Sequence, residues 1–144
     1  MPLTETQLAY VAGIIDGEGC IRVNRQGANR PVVRVHVTNT SKLLVSTLEE
    51  WFGGYVWSED KSYIPNAKLR YVWEVSAIQA EEFLRLVEPY LLLKKEQARI
   101  ALQIRETMVR RGRTPVAPDV LARRETLAAE LRKLNKKGLS HAIT

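Results

Sequence analysis

The most informative part of the chain is a run of small, apolar and acidic residues near its start, where residues 8–21 read LAYVAGIIDGEGCI. Ala9, Gly13 and Gly17 recur every four residues, so in a helix they share one face, which Ala12 broadens. A face of small side chains lets a second helix approach closely. Such packing would offset the cost of about 1 kcal/mol for each glycine inside a helix. The pattern therefore predicts a close helix–helix interface.

Two acidic residues, Asp16 and Glu18, stand at the end of the same predicted helix. Carboxylates there meet the negative end of the helix dipole, so they are unfavourable unless a cation is nearby. Close pairing and carboxylates together suggest a symmetric interface that holds a divalent metal. These residues alone also leave open an ordinary buried helix that ends at a glycine and carries two solvated acids.

Hydrophobic periodicity predicts the order of elements along the chain. Thr4 and Gln7 form a capping box for the first helix, Gly53 ends the second, and Ser76 and Gln79 form a second capping box. The predicted strands are 20–25, 31–38, 54–58 and 68–75, with a turn at 26–29, and the later helices run from Ser76 to before Pro89, over 91–111 and over 119–138. This order, αββαββα with further helices, predicts an α+β fold in one domain, with a core at 4–111, a connector at 112–118 and a C-terminal helix at 119–138.

Composition narrows the class of protein. The 144 residues are 45% hydrophobic and 26% charged, as is typical of one globular domain. No apolar run approaches the roughly 20 residues that a membrane span needs, and no signal peptide opens the chain. One cysteine and two histidines exclude an internal disulfide and argue against a zinc site. We expect a protein that is not secreted and has no membrane partner, in the cytoplasm, the nucleoid or an organelle matrix.

The charge distribution favours a polyanionic partner. The net charge is +6 and the isoelectric point is about 9.7. Residues 99–137 carry 11 basic and 4 acidic side chains, a net charge of +7, whereas residues 1–98 carry 11 basic and 12 acidic ones, a net charge of −1. Residues 20–38 nevertheless contain four arginines and no acid. Basic charge is thus concentrated in the first predicted hairpin and in the C-terminal part.

Residues 11–19, VAGIIDGEG, resemble the LAGLIDADG motif with conservative changes and precede a β-hairpin, as that motif does. The αββαββα order is similar to that family over about residues 5–110, and a single motif is typical of its homodimeric branch. The resemblance to LAGLIDADG homing endonucleases implies an antiparallel four-stranded DNA-binding saddle. It also implies a site-specific, metal-dependent endonuclease that hydrolyses phosphodiester bonds in double-stranded DNA.

The same resemblance implies which residues form the metal site and the interface. Glu18 matches the acid that binds Mg²⁺ or Mn²⁺, with Gly17 as a further metal ligand, whereas Asp16 matches a more structural acid. Two copies of Glu18 would meet across a two-fold axis. The residues expected at the dimer interface are Ala9, Ala12, Gly13, Asp16 and Gly17.

Two further catalytic residues are implied. The segment Val37–Ser41 resembles the one whose polar side chain orders water, which indicates Asn39, although Asn39 could instead cap a helix. The segment Glu88–Ala98 resembles the one that carries a basic active-site residue, which indicates Lys94. A solvated surface lysine is the alternative there, and Lys95 is one position away.

The polar face of the predicted sheet is expected to contact DNA, because a two-stranded ribbon fits the major groove and arginine favours guanine. A solvated sheet face is the ordinary alternative. A strand of ~9 residues spans ~30 Å, so a dimer needs a near-palindromic site on the order of 20 base pairs. The expected DNA-contacting residues are Arg22, Asn24, Arg25, Arg34, His36, Thr38, Trp57, Lys68, Arg70 and Glu74.

Two other classes of function compete with the endonuclease. A non-cleaving LAGLIDADG nucleic-acid binder would be an RNA-splicing maturase, with RNA as its partner, or a transcription regulator. Glu18 argues against both, because a binder needs no acid at the centre of its DNA-facing surface. A basic dimeric structural protein would leave the Ala9, Gly13 and Gly17 face unexplained.

Overall fold

The computed structural model describes residues 2–25, 30–61, 63–108 and 115–143, and for Arg25 and residues 137–143 it describes the backbone alone. The predicted turn at 26–29 and residues 112–114 of the connector lie outside these ranges. The described elements, in chain order, are α1 (Glu5–Glu18), β1 (Gly19–Arg25), β2 (Pro31–Asn39), α2 (Lys42–Phe52), β3 (Tyr55–Glu59), β4 (Arg70–Ser76), α3 (Ala77–Val87), a 3₁₀ turn (Glu88–Tyr90), α4 (Lys95–Glu106) and α5 (Pro118–Ile143). The predicted α+β class and αββαββα order are confirmed.

The sheet has the strand order β1-β2-β4-β3, and its three strand pairs are antiparallel. Because side chains alternate along a strand, this register separates the two faces of the sheet. One face carries Ile21, Val33, Val35, Val37 and Trp73, each with no exposed surface. The opposite face carries arginine, histidine, threonine and glutamate, as the alternation predicted.

The helices pack on the apolar face of the sheet and close a single core. Trp73 lies at its centre, with its ring 5.2 Å from that of Phe83. The indole nitrogen of Trp73 donates to the carbonyl of Gly53 at 2.8 Å. That glycine ends α2 with a φ of 72°, as predicted, in the left-handed region that glycine tolerates best. The polar face of the sheet is thereby left open.

Of the two predicted capping boxes, the structure contains the first and lacks the second. The capping box of Thr4 and Gln7 is present at the start of α1. The second predicted capping box is wrong, since Ser76 precedes α3 but its hydroxyl caps no amide. Ala77 has a φ of 52°, so the first turn of α3 is not aligned for that bond.

Several boundaries differ from the prediction, and α4 ends at Glu106 instead of residue 111, while α5 spans Pro118–Ile143 instead of 119–138. The helix predicted over 91–111 begins at Lys95, because Leu91 is extended, with a ψ of 143°, and residues 92–94 form a bend whose amides bind the carboxylate of Asp16. Strand β4 begins at Arg70, so Lys68 and Leu69 precede it, and Leu69 is 46% exposed instead of lying in the core.

The C-terminal helix α5 is packed into the same core as the sheet. Leu127, Ala128 and Leu131 are buried with residues of the strands and of the other helices. The side-chain amide of Asn135 donates to the carbonyl of Ile21 at 3.0 Å, on the edge strand β1. None of the described helices is long and apolar enough to cross a membrane.

Candidate active site and nucleic-acid interface

Glu18 and Asn39 meet where α1 and β2 end. The Nδ2 of Asn39 donates to the Oε2 of Glu18 at 2.5 Å, and the Oδ1 of Asn39 accepts from the amide of Ser41 at 2.7 Å. These two bonds fix the orientation of the Asn39 amide. Ser41, whose hydroxyl accepts from the amide of Leu44 at 3.2 Å, caps α2. The alternative role of Asn39 as the helix cap is therefore wrong.

Lys94 also lies at this end of α1. Its Nζ donates to the carbonyl of Asp16 at 2.8 Å, which places an ammonium at the negative end of the α1 dipole. The side chain is half-buried and is not a freely solvated lysine. The ammonium of Lys95 instead reaches the carbonyl of Pro89 at 3.4 Å. Of the two neighbouring lysines, Lys94 is the one held at the end of α1.

The two acids of the motif have different surroundings. The Asp16 carboxylate accepts the backbone amides of Leu92, Leu93 and Lys94, at 2.8, 3.1 and 2.9 Å. These amides precede α4, where backbone N–H groups lack partners within the helix. Asp16, expected at the dimer interface, is thus engaged within its own chain. The exposed carboxylate of Glu18 is held by Asn39 through one oxygen.

The oxygen ligands available at the end of α1 fit a hard divalent cation. Such cations prefer carboxylate and carbonyl oxygens, which Glu18 and the last-turn carbonyl of Gly17 supply, and both residues are exposed. Among the described residues, no group of three or more His, Cys, Asp and Glu side chains is close enough to hold a metal ion. A cation bound at Glu18 therefore needs further oxygen ligands from outside this set.

One face of α1 is exposed and lined by small residues. Ala9, Gly13 and Gly17 are exposed along it, and neighbouring Tyr10 is 59% exposed. A β-carbon added to Gly13 or Gly17 would meet no atom within 4 Å. Packing within the chain therefore does not require glycine at either position. The expectation for Ala12 is corrected, because Ala12 is fully buried and has no surface to offer a partner.

The open face of the sheet gathers most of the residues expected to contact DNA. The register aligns them across all four strands. Lys68 is exposed in the loop before β4, and the side chain of Arg25 lies outside the described part of the chain. The expected residues on the open face are Arg22, Asn24, Arg34, His36, Thr38, Trp57, Arg70 and Glu74.

A three-strand ion-pair network lies in the middle of this face. The Oε1 of Glu74 accepts from Arg22 and its Oε2 from Arg34, each at 3.2 Å. Arg22 also donates to the Oδ1 of Asn24 at 3.1 Å. The Glu74 side chain is 13% exposed. Glu74 was expected to accept from a base, but both of its oxygens are already occupied by arginines.

His36 and Cys20 are cross-strand neighbours beside this network. Burial, followed by the charge of Arg22, lowers the pKa of His36, against the opposite effect of Glu74 and Glu59. Its imidazole is therefore neutral at pH 7. Burial raises the pKa of the Cys20 thiol despite Arg22 and Lys94, so Cys20 is not an activated nucleophile.

Comparison with models of protein families identifies the family to which the chain belongs. The family model described as a LAGLIDADG-like domain matches residues 5–88, more than half of the chain. The chain is a member of the LAGLIDADG family. A search of the curated proteins found no significant match.

Solved structures of other LAGLIDADG-fold proteins superpose on most of this chain. The homing endonuclease I-CvuI, in complex with its target in the presence of calcium, is 23% identical, with 90% of this chain and 82% of that chain covered and a TM-score of 0.73. The archaeal intron-encoded homing endonuclease I-Vdi141I, complexed with DNA, is 22% identical, with 90% and 84% covered and a TM-score of 0.70. I-SmaMI bound to uncleaved DNA is 20% identical, with 88% and 45% covered and a TM-score of 0.64. These likenesses establish the fold.

Two residues on the open face of this LAGLIDADG protein were not predicted. Tyr55 is 73% exposed and lies opposite Glu74, with its ring 6.4 Å from that of Trp57. Glu59 lies opposite Arg70 in the same pair of strands. The spacing of two residues on either side of Trp57 could have identified both, because alternate residues of a strand share a face.

Proposed function

We propose that this protein is a homodimeric, divalent-metal-dependent endonuclease that hydrolyses both strands of DNA at a long, near-palindromic site. The observation that carries the proposal is the convergence of Glu18, Asn39 and Lys94 at the exposed end of α1. Membership of the LAGLIDADG family supports it. Two structural neighbours, both homing endonucleases in complex with DNA, support the substrate class.

A second copy of the chain would complete the site. The exposed small-residue face of α1 lets another α1 approach closely, because Gly13 and Gly17 offer no side-chain obstacle. Leu92 and Leu93, held next to this helix by Asp16, are 83% and 70% exposed. Large exposed apolar side chains close together are typical of an interaction surface. In a two-fold dimer the two Glu18 carboxylates then lie near each other.

The proposed cofactor is Mg²⁺ or Mn²⁺, bound by Glu18 and the carbonyl of Gly17. One structure of I-CvuI was obtained in the presence of magnesium and another in the presence of calcium, and both support the use of a divalent ion. When bound, such an ion polarises phosphate oxygens and generates a nucleophile from water at neutral pH.

The residues of the chain orient and stabilise the reacting groups. Asn39, fixed through Ser41, holds the Oε2 of Glu18 and leaves its Oε1 for other ligands. The same amide orients water beside the scissile phosphate. Lys94, anchored at the end of α1, provides a positive charge that stabilises negative charge developing on the phosphate. No protonated histidine is needed, consistent with a neutral His36 outside this group.

The open sheet face provides recognition. Its arginines can donate to guanine in the major groove, whereas the exposed basic residues of α5, including Arg123, Arg132 and Lys133, are suited to phosphate contacts. Phosphate contacts add affinity that falls with salt and carry no sequence information. The proposed site on the order of 20 base pairs follows from the span of the strands in a dimer.

The first test is cleavage of a randomised library of double-stranded DNA, with Mg²⁺ and with EDTA. We expect metal-dependent cutting at one long, near-palindromic sequence. Sequence-specific binding without cutting under Mg²⁺, Mn²⁺ and Ca²⁺ would instead favour the non-cleaving maturase or regulator.

A substitution at Glu18 tests the assigned role. Glu18→Gln keeps the size of the side chain but removes its charge, so we expect DNA binding to persist and cleavage to fall roughly 100-fold or more. Glu50→Gln, at an exposed position on α2, is the matched control and should cut normally. Unchanged cleavage by Glu18→Gln would remove Glu18 from the metal site.

A further inference from the structure

Arg22 and Arg34 form a pair of like charges that the sheet would not hold together unaided. They lie directly opposite each other in the β1–β2 ladder. Like charges in that position are destabilising. Glu74 on β4 offsets the repulsion by binding one arginine through each carboxylate oxygen, at 3.2 Å. One carboxylate thus connects three strands across the open face.

Burial makes this arrangement stiffer than an ordinary surface ion pair. The side chains of Glu74 and Arg34 are 13% and 22% exposed, and that of Arg22 is 41% exposed. The Nε atoms of both arginines are buried without a hydrogen-bond partner in the described part of the chain. Each guanidinium is therefore held by its Nη end against Glu74, on the face that is open to a ligand.

We propose that Glu74 is a positioning residue that fixes Arg22 and Arg34 as a preformed pair and thereby sets specificity for guanine at two neighbouring base pairs. This inference rests on the DNA-binding part of the proposed function. An arginine discriminates guanine when its planar donors meet the O6 and N7 acceptors together, which requires a defined orientation. With the strands running along the groove, the opposed arginines lie at the same level along the DNA, with Cα atoms about 5 Å apart, and their long side chains reach neighbouring base pairs about 3.4 Å apart.

The carboxylate of Glu74 lowers the affinity for DNA of any sequence and raises the selectivity for guanine. Without Glu74, two long and flexible cations would contact phosphates at any sequence, which adds binding energy without information. With Glu74, part of their charge is neutralised and nearby phosphates are repelled. The two guanidinium groups then bind most strongly where acceptor atoms on the edge of a base match their donors, as the O6 and N7 of guanine do. Glu74 contributes in this way without itself touching a base.

The test is selection of bound sequences from a randomised double-stranded DNA library in Ca²⁺, which does not depend on cleavage. Wild-type protein should enrich guanine-containing base pairs at two adjacent positions in each half-site. Glu74→Gln should lower discrimination about tenfold at both positions, on the scale of one good bidentate contact. It should also raise affinity for random DNA, because one negative charge is lost.

Glu59→Gln is the matched control. Glu59 lies in the same sheet, but its side chain is 37% exposed and its Oε2 is 4.0 Å from the Nη2 of Arg70. The substitution makes the same change in charge. Because Glu59 pairs with Arg70 and not with Arg22 or Arg34, discrimination at the two positions should stay intact. A Glu59→Gln profile that loses the same two positions would show a general charge effect and overturn the inference.

Arg22→Ala is a second, independent test. Arg22 is chosen because it is the more exposed of the two arginines, so its removal should disturb folding less. It should relax one of the two positions that Glu74→Gln relaxes. If Glu74→Gln folds and keeps the wild-type profile, or Arg22→Ala alters different positions, the inference is wrong. Wild-type protein that selects a site but does not cut it with Mg²⁺ contradicts the endonuclease alone, and wild-type protein that selects no sequence contradicts both.

Discussion

Asp16 joins two parts of the chain that are far apart in sequence, and its removal should lower stability. Its carboxylate accepts three backbone amides of the segment before α4. Asp16→Ala leaves these amides without that acceptor, so we expect the free energy of unfolding to fall by about 1–2 kcal/mol, as for a lost helix cap. Urea denaturation measures this change. Asp16→Asn keeps an oxygen acceptor and should lose less, and equal stability of Asp16→Ala and wild type would contradict the capping role.

The half-buried imidazole of His36 should make stability depend on pH. Burial and Arg22 lower its pKa in the folded state, so the unfolded state binds the proton more tightly. Stability from this group is therefore full above the unfolded value of about 6.5 and is lost as pH falls below it.

Denaturation of the wild type and of His36→Gln at several pH values between 5 and 8 measures this effect. The variant should lose less stability on acidification than the wild type, and His141→Gln serves as the control for the second histidine of the sequence. Parallel curves for His36→Gln and wild type would exclude His36 as the source.

Single residues of the site could be predicted where a motif carries them. Glu18, Asn39 and Lys94 were identified from short segments, and the structure brings Glu18 to Asn39 and places Lys94 at the same helix end. The contact of Asp16 with residues 92–94 could not be predicted, because the partners are 76 to 78 residues apart and are backbone amides. The engagement of Glu74 by two arginines depends likewise on which strands become neighbours.

At the scale of elements, the exposed face of α1 allows dimerisation to be tested separately from folding. There is space for a side chain at Gly13 in the single chain. Gly13→Leu should therefore keep the helical content of the protein but weaken dimerisation on the order of 100-fold, by separating two closely packed helices. Circular dichroism and sedimentation equilibrium measure the two properties. Glu50→Leu adds the same side chain elsewhere, and a Gly13→Leu variant as dimeric as this control would disprove close packing through α1.

Elements were predictable where their own residues determine them. Alternation in β1, β2 and β4 indicated the correct face for Arg22, Arg34 and Glu74, because the period of two is a local property. The start of α4 was not predictable, since the apolar residues before Lys95 continue a helical pattern. In the structure Leu91 is instead extended, and the bend that follows binds Asp16, a distant residue, through its amides. Strand order, which places β4 between β2 and β3, follows from packing of the whole core.

At the scale of the whole molecule, α5 should be part of the cooperative fold and not an appendage. Leu131 on this helix is fully buried in the common core. Leu131→Ala should lower the free energy of unfolding by about 2–5 kcal/mol through loss of packing and creation of a cavity. Glu130→Ala, at the exposed neighbouring position, should change it by less than about 0.5 kcal/mol. A single shifted unfolding transition is expected, whereas an unchanged main transition would mean that α5 unfolds independently.

The bond from Asn135 to Ile21 also has a consequence for how the protein behaves at high concentration. Strand β1 is an edge of the sheet, and a bare edge offers carbonyl and amide groups on which a strand of another molecule can assemble. The amide of Asn135 already occupies one of those carbonyls, and α5 packs beside the strand. Removing α5 to make a smaller DNA-binding protein would expose this edge. The first effect of that truncation would be aggregation and poor solubility, before any change in the DNA sequence that is recognised.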